Sequence, residues 1–561
     1  MTSVQLQRNR SLFLGSVVFL AIVFGAFPSH RYFADSLDYA FRMEESTAWV
    51  VHPHHPLMPF VPHVLFRATR LIDRDLSALD FLGGWSVCVG VLACWGLMLL
   101  LRAGRMAPAT VLATVGLFAF SRGVWYFSVT PNQHSTGLLL NVFALLAMVP
   151  ALTRCRDGPS PGQLVTIAVL TSLAIHTSKL NAGLVLPAVY VILASGATPR
   201  RKLGDFLLYI AVVVFVAGGL LLLLAVGAAG LRSLPEISRW QQSYVFLTRW
   251  WPNDLVDGLR RNLYGAIELH LDSVFAPHGL LGNWMRGFGT GAWLAWLPAK
   301  IGQAAVLLFL VVETIRALIE WLRGTERSRL QTLGLLAAIP AVLFSSVYTP
   351  EWVNCRILYL PGFLLFLSPA LERHFVLDRP SLRRMWPVLL VIACLFGVNF
   401  GTKVVYESNP YNNPYLIESG RLRGTLEPGD LVICSGTDEG FLRGLYVRYA
   451  TRCDYVQATE LVRLVRKHEE EVLEGFRERL DKGGQVLVHE DALSAEDVAR
   501  VNALEGTDIG PDELLSFLHR HAELTGEFTV YGETYFLLSM PGAESDHVPL
   551  EDQQDSDSYE D

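Results

Sequence analysis

Two carboxylates stand where a short apolar run gives way to a polar loop. They are Asp35 and Asp38, in the stretch His30-Arg31-Tyr32-Phe33-Ala34-Asp35-Ser36-Leu37-Asp38-Tyr39-Ala40. A carboxylate held in place can take a proton from a weak nucleophile, which is the work of a general base. Asp35 precedes Tyr39 by four positions, so on a helix the two would share a face. The alternative makes Asp35 a helix N-cap and Asp38 a solvated side chain. Farther on comes His52-Pro53-His54-His55-Pro56-Leu57. Its imidazoles, with Asp35, offer nitrogen and oxygen ligands to a divalent metal. Pro53 and Pro56 interrupt the backbone there, so His54 and His55 are assigned to substrate hydrogen bonding or loop shaping, and no metal or other cofactor is assigned. Cations form a third group. Arg356, Lys179 and Arg122 sit at the ends of apolar segments, where charge is costly unless paired or functional. Each could hold an anion, or act as an interfacial anchor with its head in water. Arg31 and Arg42 flank the two acids and could pair with them. Asn132, Gln133 and His134 could line the same cavity or cap the helix that follows.

The elements that must position these groups are apolar. The chain has 561 residues, 51% hydrophobic and 18% charged, with mean hydropathy +0.34. Soluble proteins run nearer one-quarter charged, so lipid must absorb the surplus. The apolar residues fall in blocks that match the roughly 20 residues needed to cross a bilayer. About eleven spans result, near 11–27, 79–101, 107–121, 134–152, 163–178, 182–197, 206–230, 297–320, 330–347, 357–371 and 385–401. Lys179 and Asn181 could mark a kink in a re-entrant pair within 163–197. The first block lacks a small-residue cleavage site and reads as a span, not a signal peptide.

Charges orient the bundle. Alternate short loops are basic, with Arg102 and Arg105, Arg154 and Arg156, Arg200 to Lys202, Arg323 to Arg329, and Arg373 to Arg384, which places them in the cytoplasm. An odd number of spans then sends residues 402–561 outside. The outer side also carries the long loops 28–78 and 231–296, and its chemistry belongs there. From Leu57, the apolar residues Phe60, Val61, Val64, Leu65, Ala68, Leu71 and Ile72 recur at helical spacing, with His63, Arg67, Arg70 and Arg74 opposite. That pattern predicts an interfacial helix with its basic face toward head groups or phosphate.

Three regions follow: a transmembrane catalytic domain over 1–401, a soluble α/β domain over 402–540, and a disordered acidic tail over 541–561. In the second, Asp430–Ser435, Gln485–Glu490, Glu527–Gly532 and Thr534–Met540 read as strands, and Thr459–Lys482 as a helix. The alternation predicts a small Rossmann-like sheet. It has neither G-x-G-x-x-G nor a P-loop, so no nucleotide is assigned. Cys434 and Cys453 could be bridged or could be two buried thiols. The formal net charge of -7 excludes a nucleic-acid partner.

A first span, then an acidic D-x-x-x-Y motif (Asp35 to Tyr39), then an interfacial helix after a His-Pro-Leu turn, resembles the GT-C superfamily of membrane glycosyltransferases. That group includes protein O-mannosyltransferases and the lipid A aminoarabinose transferase. The layout matches well over residues 1–200 and more loosely over 330–400. The resemblance implies a polytopic α-helical membrane protein that moves a sugar from a polyprenyl-phosphate donor to a lipid, glycan or protein acceptor at the outer face; the acidic-tailed outer domain suits a periplasm and so a bacterial inner membrane. It implies Asp35 as base, with Asp38 as second choice, and Arg356 as a phosphate contact. Lys179 and Arg122, as cations at outer helix ends, and His54, His55 and Tyr39, from their places in the first outer loop, are further candidate substrate or phosphate contacts. The sequence lacks the adjacent Asp-Glu pair of the mannosyltransferases. Two other classes compete. A secondary transporter would explain the spans but not the large outer regions, and no inverted repeat is visible. A scaffold with an outer domain would leave Asp35 and the basic helix idle.

Overall fold

A computed structural model of the chain describes residues 3–154, 158–242, 255–271, 292–324, 327–348, 353–375, 382–505, 508–510 and 512–541. Much of the loop 231–296, and the predicted tail beyond Pro541, lie outside the described residues. The chain divides into two compact units: Met1–Ser29 with Met43–Ser408, and His30–Arg42 with Asn409–Asp561.

The first twelve helices are α1 (Ser3–Ala26), α2 (Ala34–Glu45), α3 (Leu57–Thr69), α4 (Ala78–Ala103), α5 (Pro108–Ala119), α6 (Arg122–Val129), α7 (His134–Arg154), α8 (Pro161–Thr177), α9 (Val185–Leu193), α10 (Pro199–Leu222), α11 (Leu234–Gln242) and α12 (Leu255–His270). Longer helices follow at Ala292–Leu322, Ser328–Val347, Leu360–Glu372 and Leu382–Asn399. Every predicted span is largely helical. Among the described residues, four helices (α4, α7, Pro199–Ala228 and Ser328–Val347) are long and apolar enough to cross a membrane, or up to five with the bent pair α5–α6. Val214, Phe215 and Leu308 stay exposed, as expected of side chains solvated by lipid.

Local chemistry sets the helix ends. Proline opens α5, α8 and α10, where its missing N–H costs nothing, and Ser160 with Gln163 forms a reciprocal capping box. Apolar contact alone does not choose a helical neighbour in lipid, so polar pairs and close backbones do. On α8, Ser172 Oγ donates to the Val213 carbonyl (3.4 Å) and His176 Nε2 lies 2.8 Å from the Ala217 oxygen, joining α8 to α10. Helices Ser328–Val347 and Leu360–Glu372 cross where a Cβ on Gly334 would sit 2.6 Å from the Gly362 oxygen. Between α5 and α6 the chain bends by 67°. Ser121 Oγ and Asn399 Nδ2 donate to the carbonyls of Leu117 (2.6 Å) and Phe120 (2.8 Å) around that break. Just past it, buried Trp125 packs among Phe24, Phe120, Phe396 and Phe400.

The predicted interfacial helix forms as α3, but its second face is used differently. Val61, Val64 and Leu65 are exposed, whereas Met58, Pro62, His63 and Phe66 are buried. Arg67 turns toward the protein instead of head groups and donates to the carbonyls of Ser46 (2.7 Å) and Thr47 (3.0 Å). Those carbonyls lie in a turn without helix or strand partners, and a guanidinium satisfies several at once.

The second unit holds a five-stranded sheet: β1 (Leu431–Cys434), β2 (Asp454–Gln457), β3 (Val486–His489), β4 (Glu523–Val530) and β5 (Glu533–Ser539), in the order β2-β1-β3-β5-β4. β1 runs parallel to β2 and β3, and β5 antiparallel to β3 and β4. The four predicted strands are present and β2 is added. Helix Ala458–Asp481 matches the predicted helix, with non-helical geometry at His468. Tyr531 and Gly532 adopt positive φ (55° and 81°), as a tight hairpin between β4 and β5 demands. Cys434 and Cys453 are buried free thiols, and burial pushes Cys453 up to about 11. Beyond the carboxyl ends of β1 and β3, buried Arg443 meets Glu418 (3.1 Å), Asp491 (2.5 Å) and Glu533 (2.8 Å). Each member has an internal partner, as buried charge requires.

Candidate functional site

In the second unit, Asp35 lies in the first turn of α2 and is exposed. The Phe33 carbonyl accepts from the N–H groups of Ser36 (3.0 Å) and Leu37 (3.1 Å). Phe33 is therefore the N-cap position of α2, and Asp35 lies inside the helix and does not cap it. A carboxylate there is favoured by the helix dipole. Asp38 is half-buried and pairs with Arg42 at 2.9 Å, one turn on. Tyr39 is buried. The two acids thus differ in burial on one helix, Asp35 exposed and Asp38 half-buried beside Arg42.

In the first unit, His54, His55 and Lys179 come together. His55 Nδ1 lies 3.2 Å from the Thr177 carbonyl and His54 Nε2 lies 3.3 Å from that of Gln241. Lys179 Nζ donates to Gln241 Oε1 at 2.7 Å, and Gln241 Nε2 donates to the Pro53 carbonyl at 3.0 Å. Gln241, at the end of α11, thus ties two candidate residues, Lys179 through its side chain and His54 through its backbone carbonyl, and sequence reasoning missed it. A neutral amide carries no signature in composition or periodicity. Burial, then the neighbouring Lys179, lowers His54 below the usual imidazole range. Burial, then His54, lowers His55 to about 4. Both are neutral near pH 7, able to hydrogen-bond but not to supply charge. His52 stacks on His55, with ring centroids 5.4 Å apart. The described residues contain no group of three or more His, Cys, Asp or Glu arranged to hold a metal ion. Carbonyl oxygens already take ring nitrogens of His54 and His55.

Arg122 and Arg356 both meet one helix, α12, the first near its C-terminal end and the second at its middle. Arg122 forms an ion pair with the buried carboxylate of Glu268. Arg356 is buried and its Nη2 donates to Asn262 Oδ1 at 2.8 Å. Asn262 in turn donates to the Ser346 carbonyl at 3.0 Å. Ser121 Oγ lies 3.3 Å from His270 Nδ1, and burial lowers that imidazole to about 4. Glu268 and Asn262 were also missed. They lie in a loop that the sequence marks only as large, although Leu255–His270 has helical spacing of its polar and apolar residues. Asn132 Oδ1 accepts from the backbone of His134 (2.7 Å) and Ser135 (3.0 Å), so it caps α7.

The chain shares its overall fold with solved membrane-enzyme structures. The solved structure of ArnT from Cupriavidus metallidurans bound to undecaprenyl phosphate matches at TM-score 0.55 and 14% identity, over 94% of this chain and 97% of that one. The same protein in the apo state matches at TM-score 0.57 and 12% identity, with the same coverage. The oligosaccharyltransferase of Archaeoglobus fulgidus, solved with zinc and sulfate, matches at TM-score 0.52 and 13% identity, over 93% of this chain and 72% of that one. No family model and no curated protein matches the chain.

Proposed function

We propose that the chain is a membrane glycosyltransferase that moves a sugar from a polyprenyl-phosphate donor to a lipid, glycan or protein acceptor at the outer face of the membrane. The observation that carries this reading is Asp35, an exposed acid in the first turn of the helix after the first span, in a chain that shares its fold over 94% of its length with a protein solved with undecaprenyl phosphate. Polyprenyl phosphate is a good leaving group. What the enzyme must supply is a base for the acceptor and cations for the departing phosphate.

Asp35 takes the role of base and Asp38, engaged by Arg42, steadies its own helix. Asn262 and Gln241, both neutral amides, orient Arg356 and Lys179 for phosphate binding. Arg122 faces Glu268 and its charge is already balanced. His54 and His55, neutral and gathered with Lys179, act as hydrogen-bonding groups for substrate.

The test is turnover of a labelled undecaprenyl-phosphate sugar by purified variants, with membrane extract as acceptor source. Asp35→Asn keeps shape but removes the base, and should lower the rate by about 10²–10⁴ with unfolding temperature unchanged. In the same assay, Arg356→Ala should raise the donor KM and Arg356→Lys should recover part of the loss. A donor carried across the membrane intact would indicate a transporter. Near-normal cleavage by Asp35→Asn would falsify its role.

A further inference from the structure

We propose that the C-terminal unit, through Tyr446, Arg448 and Arg452, is the positioning device for the acid-bearing segment. The inference rests on Asp35 as base and gives the C-terminal domain a task in the same reaction.

The contacts fall on both sides of Asp35. Before it, the Tyr32 N–H donates to the Tyr446 hydroxyl at 2.7 Å, and Asn413 Nδ2 donates to the His30 carbonyl at 2.7 Å. Asn413 Nδ2 also donates to the Tyr446 hydroxyl, at 2.8 Å, so the two anchors brace each other. The rings of Tyr32 and Tyr446 stack with centroids 5.9 Å apart, and Tyr415 packs on Tyr446 at the same distance. Tyr446 is buried, where an unbonded hydroxyl would be costly. After Asp35, the Arg448 guanidinium lies over the Phe41 ring at 4.1 Å and Arg452 lies at 5.6 Å from the same ring. Cation–π contact of this kind holds a ring in place.

Backbone geometry adds an independent sign. Arg452 ends the helix Asp438–Thr451 with φ of 66°, a left-handed conformation that glycine adopts freely and other residues avoid. A glycine there would relieve the backbone but lose the guanidinium over Phe41. Residues His30–Arg42 group with Asn409–Asp561 and not with the helical unit, which agrees with the contacts. Between the two anchors lie only the first turns of α2, with Asp35 on them. A base acts only within hydrogen-bond reach of its proton, and a misplacement of about 1 Å can cost 10²-fold in rate. Ordinary domain packing would give the same burial but would make no demand on turnover.

The experiment uses the full chain in detergent, with hydrogen–deuterium exchange of residues 33–42 read beside turnover of the labelled undecaprenyl-phosphate sugar. Tyr446→Phe keeps the ring stack and removes the hydroxyl. Arg452→Gly removes the cation while easing the backbone, so it should unfold no earlier than the parent. Both should speed exchange over 33–42 at least tenfold, leave exchange in β1 and β3 unchanged, and lower kcat about tenfold with the donor KM within twofold. Unchanged exchange over 33–42 in both variants, or faster exchange with normal kcat, overturns the proposal. Should Tyr446→Phe unfold early, Arg452→Gly decides alone. If Asp35→Asn proves active, the functional reading fails separately, and exchange still reports whether the segment is anchored.

Discussion

His63 shows how far a single side chain can depart from its pattern. Its place opposite the apolar stripe of α3 suggested a head-group contact, but the ring is buried, with Val50 N–H donating to Nδ1 at 3.1 Å and Arg67 Nε 2.9 Å from Nε2. A cationic ring would turn an N–H toward each of those donors. Burial, then Arg67, lowers its pKa from 6.5 to about 4. Between those values the unfolded chain binds a proton that the folded one does not, so this stability is complete above pH 6.5 and is lost as pH falls toward 4. Unfolding temperature should therefore drop between pH 7 and pH 5.5, with His63 contributing on the order of 1 kcal/mol. His63→Gln should flatten that part of the slope; an unchanged slope would remove His63 as its source. Residue type and spacing revealed the acids and cations. Their partners, Gln241, Asn262 and Glu268, stayed hidden because tertiary contact, not periodicity, selects them.

At the scale of elements, the helices were the most legible part, because a bilayer imposes a minimum apolar length whatever the fold. Strand β2 was missed for the opposite reason. Its four residues, Asp454–Gln457, have no fully buried position and no apolar run, and exist as a strand because β1 pairs with them. Helix pairing was not legible either. The crossing of Ser328–Val347 with Leu360–Glu372 depends on two glycines, and at Gly362 a Cβ would lie 2.7 Å from the Gly334 oxygen. Neither backbone can yield as a flexible side chain would. Gly334→Ala should destabilise the protein by about 1–3 kcal/mol, seen as a lower unfolding temperature in detergent. A stability equal to the parent would show that the helices separate freely.

At the scale of the molecule, composition announced a membrane protein and the loop charges an orientation. The grouping of His30–Arg42 with residues some hundreds of positions later had no local signal, since nothing in periodicity reports a contact at that separation. Orientation is open to a direct measurement. Thr47 is exposed in the first unit, and Tyr411 is 79% exposed in the second. Cysteines placed at Thr47 and Tyr411 should both react with an impermeant maleimide added outside intact cells, above the background of the parent protein. Reaction at only one would put the two on opposite sides and end the eleven-span topology.

The bond between Tyr32 and Tyr446 also has a place in time. The two residues are 414 positions apart. A ribosome working at about 5–20 residues per second delivers the second roughly 20–80 s after the first. Through that interval the early helices can enter the membrane while the acid-bearing segment waits for its anchor. A message broken before residue 446 would yield a chain whose early segment lacks the Tyr446 contact, and on the role proposed above for that contact competence would come last in synthesis.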